Sequence, residues 1–362
     1  MSQSSYTAAV IGVGKPNQPF AKGGGHAIGH VHAMMFRRSP RVRLVAGADI
    51  NQDNLAYYQK QFEVPQGFAD YNEMLRTAKP DIVSIGTYVG LHRPIIEAAA
   101  RAGVKGILCE KPFLASPADH AAVRRIVAET GVKIVVGHIR RFWPTWRRVR
   151  ELITQGYIGQ PIMYLASTEG WDLQEMGSHW IDGIRFFSGD RKATWVMGQA
   201  RVRDFRGYGH AMEEHAIAYW EFDDGSRALV DGGKGLKGDL FTITGTAGSI
   251  HAGEQKLVLN TIAGQRTEDY SNQPPEGWSR LGVKDGGGGI GWNMIWDMTL
   301  NALIQWIEGG GEPTVSMNQA MASQEIAFGA YLSALRGDRM DLPLQADDVT
   351  EYPVELLARR GK

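Results

Sequence analysis

A single cysteine, Cys109, stands among 362 residues. No intramolecular disulfide can form, and a reducing compartment is the matching setting. An excess of charge is also missing, since Lys+Arg and Asp+Glu both number 39. Such a chain exerts little long-range pull on nucleic acid or an anionic membrane. Neither is expected as a partner; a small, mostly neutral ligand fits better. No apolar stretch reaches the roughly 18 residues that a membrane-spanning helix needs. The opening Met-Ser-Gln-Ser-Ser-Tyr-Thr has no basic segment followed by a long apolar one, so no signal peptide is expected and the protein reads as cytoplasmic.

Hydrophobic residues at 43% and charged residues at 22% are ordinary for a globular protein. The length exceeds one ordinary core and implies two domains. Short apolar runs at 8–12, 43–49, 81–86, 105–109 and 133–137 alternate with helical patterns at 29–37, 52–63, 70–77, 91–102 and 116–129. Near-continuous apolar strands separated by helices imply a parallel sheet covered on both faces. Residues 1–142 therefore read as a doubly wound, dinucleotide-binding Rossmann domain. After Pro144 the texture changes. Runs at 160–168, 194–203, 214–222, 226–232, 239–244 and 257–261 interleave polar and apolar residues, with turn chemistry at Asp223-Asp224-Gly225 and Gly245–Gly248. Residues 143–362 read as an α/β domain with a large, mostly antiparallel open sheet, one face covered by helices at 176–187, 293–307 and 317–335. Residues 284–291 are too glycine-rich for an element and read as a loop.

The first strand runs directly into Gly12-Val13-Gly14, where glycine permits a tight turn and close approach to a pyrophosphate. The third glycine of that fingerprint is missing three residues on. Gly29 follows only after fifteen positions, at the head of a helix. The phosphate-binding helix N-terminus is therefore expected at Ala27-Ile28, with Lys15 to Gly25 looped out. Asp49 closes the second strand, 20 positions after Gly29. There a carboxylate accepts hydrogen bonds from the adenosine ribose and disfavours a 2′-phosphate, which points to NAD; the plainer reading of Asp49 is a helix cap. His26, His30 and His32 lie in a glycine-rich helix start with no Cys or carboxylate close in sequence, so no metal is expected.

The fourth strand ends in Cys109-Glu110-Lys111-Pro112. A lysine at the carboxyl edge of a parallel sheet faces the ligand crevice. It can act as a general base where burial or a neighbouring positive charge lowers its pKa. With this motif the chain resembles the glucose-fructose oxidoreductase and inositol dehydrogenase family (Gfo/Idh/MocA). The matching features are Gly12-Val13-Gly14, His32-Ala33, Asp49, Thr87 to His92, Glu110-Lys111-Pro112, Gly137-His138 with Arg141-Phe142 and Pro144, Gly156 to Gly159, and Gly177-Ser178-His179 with Asp182. The Gly245 to Ile250 turn and Leu342-Pro343-Leu344 also resemble the family.

The resemblance implies a bound NAD, a sugar, cyclitol or related polyol substrate, and a homodimer or homotetramer built through the C-terminal sheet. It places cofactor contacts at Thr87, His92, Glu110 and Lys111 beside Gly12 and Gly14, and substrate contacts at His138, Arg141 and Asp182. Lys111 takes the place of the catalytic lysine and His179 that of the catalytic histidine. The family commonly has Asp four residues before that histidine; here the residue is Glu175, whose carboxylate sits one methylene further out. Trp171, Asp172, Trp292 and Asn293 are candidates for a sugar pocket, an aromatic face packing on C–H groups and polar tips binding hydroxyls. Glu213-Glu214-His215 reads as a solvated strand edge. The expected activity is hydride transfer between nicotinamide and a secondary alcohol. Two rivals share the scaffold: redox-neutral, NAD-dependent cleavage of a glycoside, and non-catalytic sugar sensing.

Overall fold

The computed structural model describes residues 5–15, 28–169, 173–207, 209–233, 241–283, 291–345 and 349–360. The expectations for the loop from Lys15 to Gly25 beyond Lys15 itself, for His26, Ala27, Trp171 and Asp172, and for the 284–290 stretch fall outside them.

Six parallel strands form the first sheet: β1 (Tyr6–Ile11), β2 (Val42–Ala48), β3 (Gln66–Phe68), β4 (Ile82–Ile85), β5 (Gly106–Cys109) and β6 (Lys133–Val136). Their order, β3-β2-β1-β4-β5-β6, is that of a dinucleotide-binding sheet, with its switch point between β1 and β4. Every residue of β4 and β5 is buried, which is why these strands read as unbroken apolar runs. The intervening helices are α1 (Ile28–Arg38), α2 (Gln52–Phe62), α3 (Tyr71–Ala78), α4 (His92–Arg101) and α5 (Pro117–Thr130). Ser116 caps α5 by accepting from the Asp119 N–H at 3.2 Å, Pro117 occupies the first turn, and Gly131 ends the helix at φ 74°.

Pro144 does not open a strand region directly. It starts α6 (Pro144–Thr154), where its missing N–H costs nothing. The nine-stranded second sheet then assembles from β7 (Pro161–Glu169), β8 (Ala193–Gly207), β9 (His210–Phe222), β10 (Arg227–Gly233), β11 (Phe241–Gly245), β12 (Gly248–Ala252), β13 (Lys256–Thr261), β14 (Gly264–Asp269) and β15 (Met340–Asp341). All its pairs are antiparallel except β7 with β10. Helices α7 (Gly177–Phe187) and α9 (Met317–Arg336) cover one face, as expected. The remaining expected cover, α8 (Trp292–Ile307), packs instead on α1, β5 and β6 of the first sheet. Its buried stripe of Ile295, Trp296, Leu303 and Ile304 closes a flank of the parallel sheet. The chain ends in α10 (Pro353–Arg360), which lies against α9, β8 and β9. Among the described residues no helix is long and apolar enough to cross a membrane.

Candidate active site

The turn after β1 is built from two left-handed glycines, Gly12 at φ 78° and Gly14 at φ 65°. Gly29, at the start of α1, lies so close that a Cβ there would sit 2.6 Å from the Val13 carbonyl oxygen and 2.7 Å from that of Gly12. Gly29 thus does the packing work of the missing third glycine. Ile28 opens α1, so the helix N-terminus stands where a pyrophosphate would be held. Asp49 Oδ2 accepts from the Gly14 N–H at 2.9 Å and Oδ1 from the Asn51 N–H at 2.9 Å. The N-cap of α2 is Asn51, which accepts from Asp53 and Asn54, so capping does not explain Asp49. Two left-handed glycines, a helix start that tolerates no Cβ and an acidic residue at the end of β2 fit a dinucleotide.

The other expected cofactor residues divide into edge and support. Thr87 presses Cγ2 against the site of Gly12, 2.8 Å from where a Cβ would be. His92 is fully buried, with Nδ1 2.9 Å from the Phe113 carbonyl and Nε2 2.9 Å from that of Thr87. Burial pushes its pKa below the ordinary value, so the neutral ring donates to one carbonyl at a time. It ties the turn after β4 to the turn after β5. Glu110 is buried too. Burial opposes its ionisation, but His32, 3.2 Å away, and the Lys111 charge outweigh that and hold the carboxyl below its usual range. His32 also meets Ser84 at 2.7 Å, so this histidine is a buried brace. Among the described residues no cluster of three or more metal-ligating side chains occurs.

Lys111 follows β5, and its peptide bond to Pro112 is cis. Its Nζ donates to the Glu175 carbonyl at 2.9 Å and to Glu175 Oε2 at 3.2 Å. The Lys111 side chain is 17% exposed and that of Glu175 6%, so the pair sits at the wall between protein interior and crevice. His179, on the first turn of α7, is buried. Burial first, then the Arg140 and Lys111 charges and His138, push its pKa well below the ordinary value, so the ring is neutral. Its Nδ1 has no hydrogen-bond partner among the described residues. His138 stands edge-on to it, ring centres 5.8 Å apart, with Nδ1 3.3 Å from Asp182 Oδ1.

Arg141 and Asp182 form a buried support. Arg141 pairs through Nε and Nη2 with both Asp182 oxygens at 2.7 Å, and its Nη1 reaches Asp190 at 2.7 Å and Thr314 at 3.2 Å. With Nη2 also 3.5 Å from the Asp182 carbonyl, its five N–H groups are engaged by protein, which leaves none for a substrate. Burial would raise the Asp182 carboxyl, but Arg141 and His138 hold it far below the usual carboxylate range. The expectation that these two residues contact substrate is corrected to that extent: they fix His138 and α7 in place.

Trp292, at the head of α8, is 44% exposed, with the Arg140 guanidinium 4.7 Å from its ring centre and Trp143 edge-on at 5.7 Å. Asn293, beside it, gives its carbonyl to Arg38 at 3.2 Å. The Arg140 cation also faces the Trp180 ring at 5.4 Å. Sequence reasoning passed over Arg140 in favour of its neighbour Arg141, and it passed over His210 and Gln324. Glu213 is a correction of the opposite kind. It is buried rather than solvated, accepting at Oε1 from the Leu173 N–H and the Tyr331 hydroxyl, both at 2.7 Å, and burial pushes its pKa up.

Residues 7–138 match the oxidoreductase family with an NAD-binding Rossmann fold, known as GFO_IDH_MocA. That match covers the parallel-sheet domain and marks it as an NAD-binding unit, with NAD as the cofactor. The chain is 26% identical over 340 residues to a D-apiose dehydrogenase of Paraburkholderia graminis, covering 86% of each chain. It is 28% identical over 367 residues to the scyllo-inositol 2-dehydrogenase (NAD(+)) of Bacillus subtilis, covering 95% of this chain and 97% of that one. A levoglucosan dehydrogenase solved in complex with NADH shares the fold at a TM-score of 0.79 and 19% identity, over 94% of this chain and 100% of that one.

Proposed function

We propose that this chain is a Gfo/Idh/MocA oxidoreductase that oxidises a secondary alcohol of a sugar, cyclitol or related polyol, with Lys111 as the proton acceptor and His179 beside it. The observation that carries this reading is the pair of hydrogen bonds from Lys111 Nζ to Glu175. These two acceptors fix Nζ at the edge of the crevice, where it is placed to exchange a proton with the substrate hydroxyl. The substrate O–H bond breaks, its proton passes to Nζ, and the carbon–oxygen bond becomes a carbonyl. Gly12, Gly14, Ile28 and Asp49 would hold NAD, which when bound would supply the acceptor for the hydride that leaves the same carbon. In reverse, the Lys111 ammonium returns the proton to the forming alkoxide.

His179 remains neutral, so it can accept from one substrate hydroxyl or donate to another without adding charge beside Lys111. Trp292 presents an apolar ring face beside the Arg140 charge, which suits a ring bearing C–H and O–H groups. The sugar and inositol substrates named for the relatives support this class. The oligomer is proposed to form through the face of the second sheet opposite α7 and α9. There Leu165, Leu229, Tyr219 and Met197 line up in register across β7, β10, β9 and β8. The deciding assay is a panel of aldoses, cyclitols and anhydrosugars with NAD, followed by NADH absorbance. NADH formation with at least one polyol is expected; none with any member would overturn the substrate class.

A further inference from the structure

Three successive residues ahead of α7 are each gripped by a different buried side chain. Leu173 donates its N–H to Glu213 at 2.7 Å, Gln174 Oε1 accepts from Gln324 at 3.1 Å, and Glu175 Oε1 meets His210 Nε2 at 3.1 Å. The third contact differs from the others, because the second oxygen of that carboxylate, Oε2, accepts from Lys111.

His210 is itself fixed at both ring nitrogens. Nδ1 lies 2.7 Å from the Ala211 carbonyl oxygen and Nε2 3.1 Å from Glu175 Oε1. Glu175 Oε2 accepts from Lys111 at the same time, so one carboxylate joins the two side chains.

We propose that His210 is a positioning residue that clamps the Glu175 carboxylate and through it sets the orientation of Lys111 Nζ. The longer arm of Glu175 is what lets one carboxylate span both partners, one oxygen to each. An aspartate would fall short by about one carbon–carbon bond, ~1.5 Å. The charged and titratable groups around the ring come from three other places. Glu213 lies further along β9, the Tyr352 ring stands edge-on with centres 4.9 Å apart, and Glu355 of α10 accepts from the Ala211 N–H at 2.8 Å. The C-terminal helix thus braces the strand that carries the clamp.

The inference rests on Lys111 being the proton acceptor, but its first test does not use activity. In full-length protein with 15N-labelled histidine, the His210 Nε2 signal is expected to move in Glu175→Gln while Nδ1, held by the Ala211 carbonyl, stays in place. An Nε2 signal that does not respond to Glu175→Gln overturns the proposal. The second test compares His210→Leu with His210→Gln, whose amide can stand in for Nε2. His210→Leu is expected to lower kcat by ~10-fold or more with NAD affinity unchanged, and His210→Gln to restore most of it. Equal kcat in the leucine variant and the wild type, or no rescue by glutamine, overturns the clamp. Should Lys111→Ala retain activity, the proposed chemistry fails, while the ring spectra still decide the His210–Glu175 pair.

Discussion

Lys111 makes two hydrogen bonds to one residue, using the backbone carbonyl of Glu175 at 2.9 Å and its side-chain Oε2 at 3.2 Å. The base and its holder are therefore one unit, and damage to either should be read at the same step. Lys111→Ala is expected to cut turnover by at least ~10²-fold, the scale of a positioned acid–base group, with NAD binding retained. Glu175→Gln, which removes the charge, is expected to cost more than Glu175→Asp, which retracts it. Steady-state kcat with calorimetric NAD titration separates these outcomes from misfolding; a near-normal kcat in Lys111→Ala would remove it from the mechanism.

Asp49 holds the Gly14 N–H and the Asn51 N–H while presenting its charge at the end of β2. A 2′-phosphate brought to that position meets a carboxylate. The wild-type protein is expected to prefer NAD over NADP in kcat/KM, and Asp49→Ser to weaken NAD and narrow the gap. A wild-type preference for NADP would assign Asp49 to loop geometry alone.

Acid sensitivity follows from two buried histidines. Burial lowers the pKa of His120 to about 4, and that of His179 falls well below its ordinary value for the same first reason. Between roughly pH 6.5 and 4 the unfolded chain takes up protons that the folded chain refuses, so stability must fall as pH falls through that window. For His120 the linkage amounts to about 2 kcal/mol between pH 7 and pH 5. Urea unfolding at the two pH values measures it, and a stability that rises on acidification would contradict the burial of both rings.

The parallel sheet was legible because burial on both faces leaves strands with no polar residues to confuse the pattern, and Ser116-Pro117 announced α5 in the local chemistry of a cap. Glu110-Lys111-Pro112 was legible for the same local reason. Elements without a local signature were missed. Strand β14 is Gly-Gln-Arg-Thr-Glu-Asp, nearly all exposed, and forms only because β13 offers its edge. Helix α8 was found, but its apolar surface does not say which sheet it will meet. His210 is 35 residues from Glu175 and faces it only once β9 is in register, so nothing near it in sequence marks the contact. Glu213 misled because three polar residues in a row resemble an edge, whereas the Leu173 N–H and the Tyr331 hydroxyl draw the first of them inward.

The aligned row Leu165, Leu229, Tyr219 and Met197 crosses four adjacent strands on the face that α7 and α9 leave open. Met197 is 48% exposed in the single chain. An apolar row of that kind is suited to a second copy of the sheet. Met197→Glu combined with Tyr219→Glu is expected to lower the mass seen by light scattering to that of the monomer, with the far-ultraviolet circular dichroism unchanged. An unaltered oligomer would place the interface elsewhere.

Gly29 tests the split glycine fingerprint directly. A methyl group there meets backbone on every near side: the Val13 oxygen at 2.6 Å, the Gly12 oxygen at 2.7 Å and the Val13 Cα at 2.8 Å. Backbone cannot swing aside as a side chain can, so α1 must move away from the turn after β1. Its N-terminal N–H groups would then leave the place where they meet a pyrophosphate. Gly29→Ala is expected to weaken NAD binding by ~10-fold or more, since one lost factor of ten corresponds to only about 1.4 kcal/mol of misplaced contacts. Gly311→Ala, at a position with open space around it, is expected to leave binding unchanged. Calorimetric titration of NAD into both variants makes the comparison. Wild-type affinity in Gly29→Ala would mean that the head of α1 does not hold the phosphates, and that the residues between Lys15 and Ile28 do.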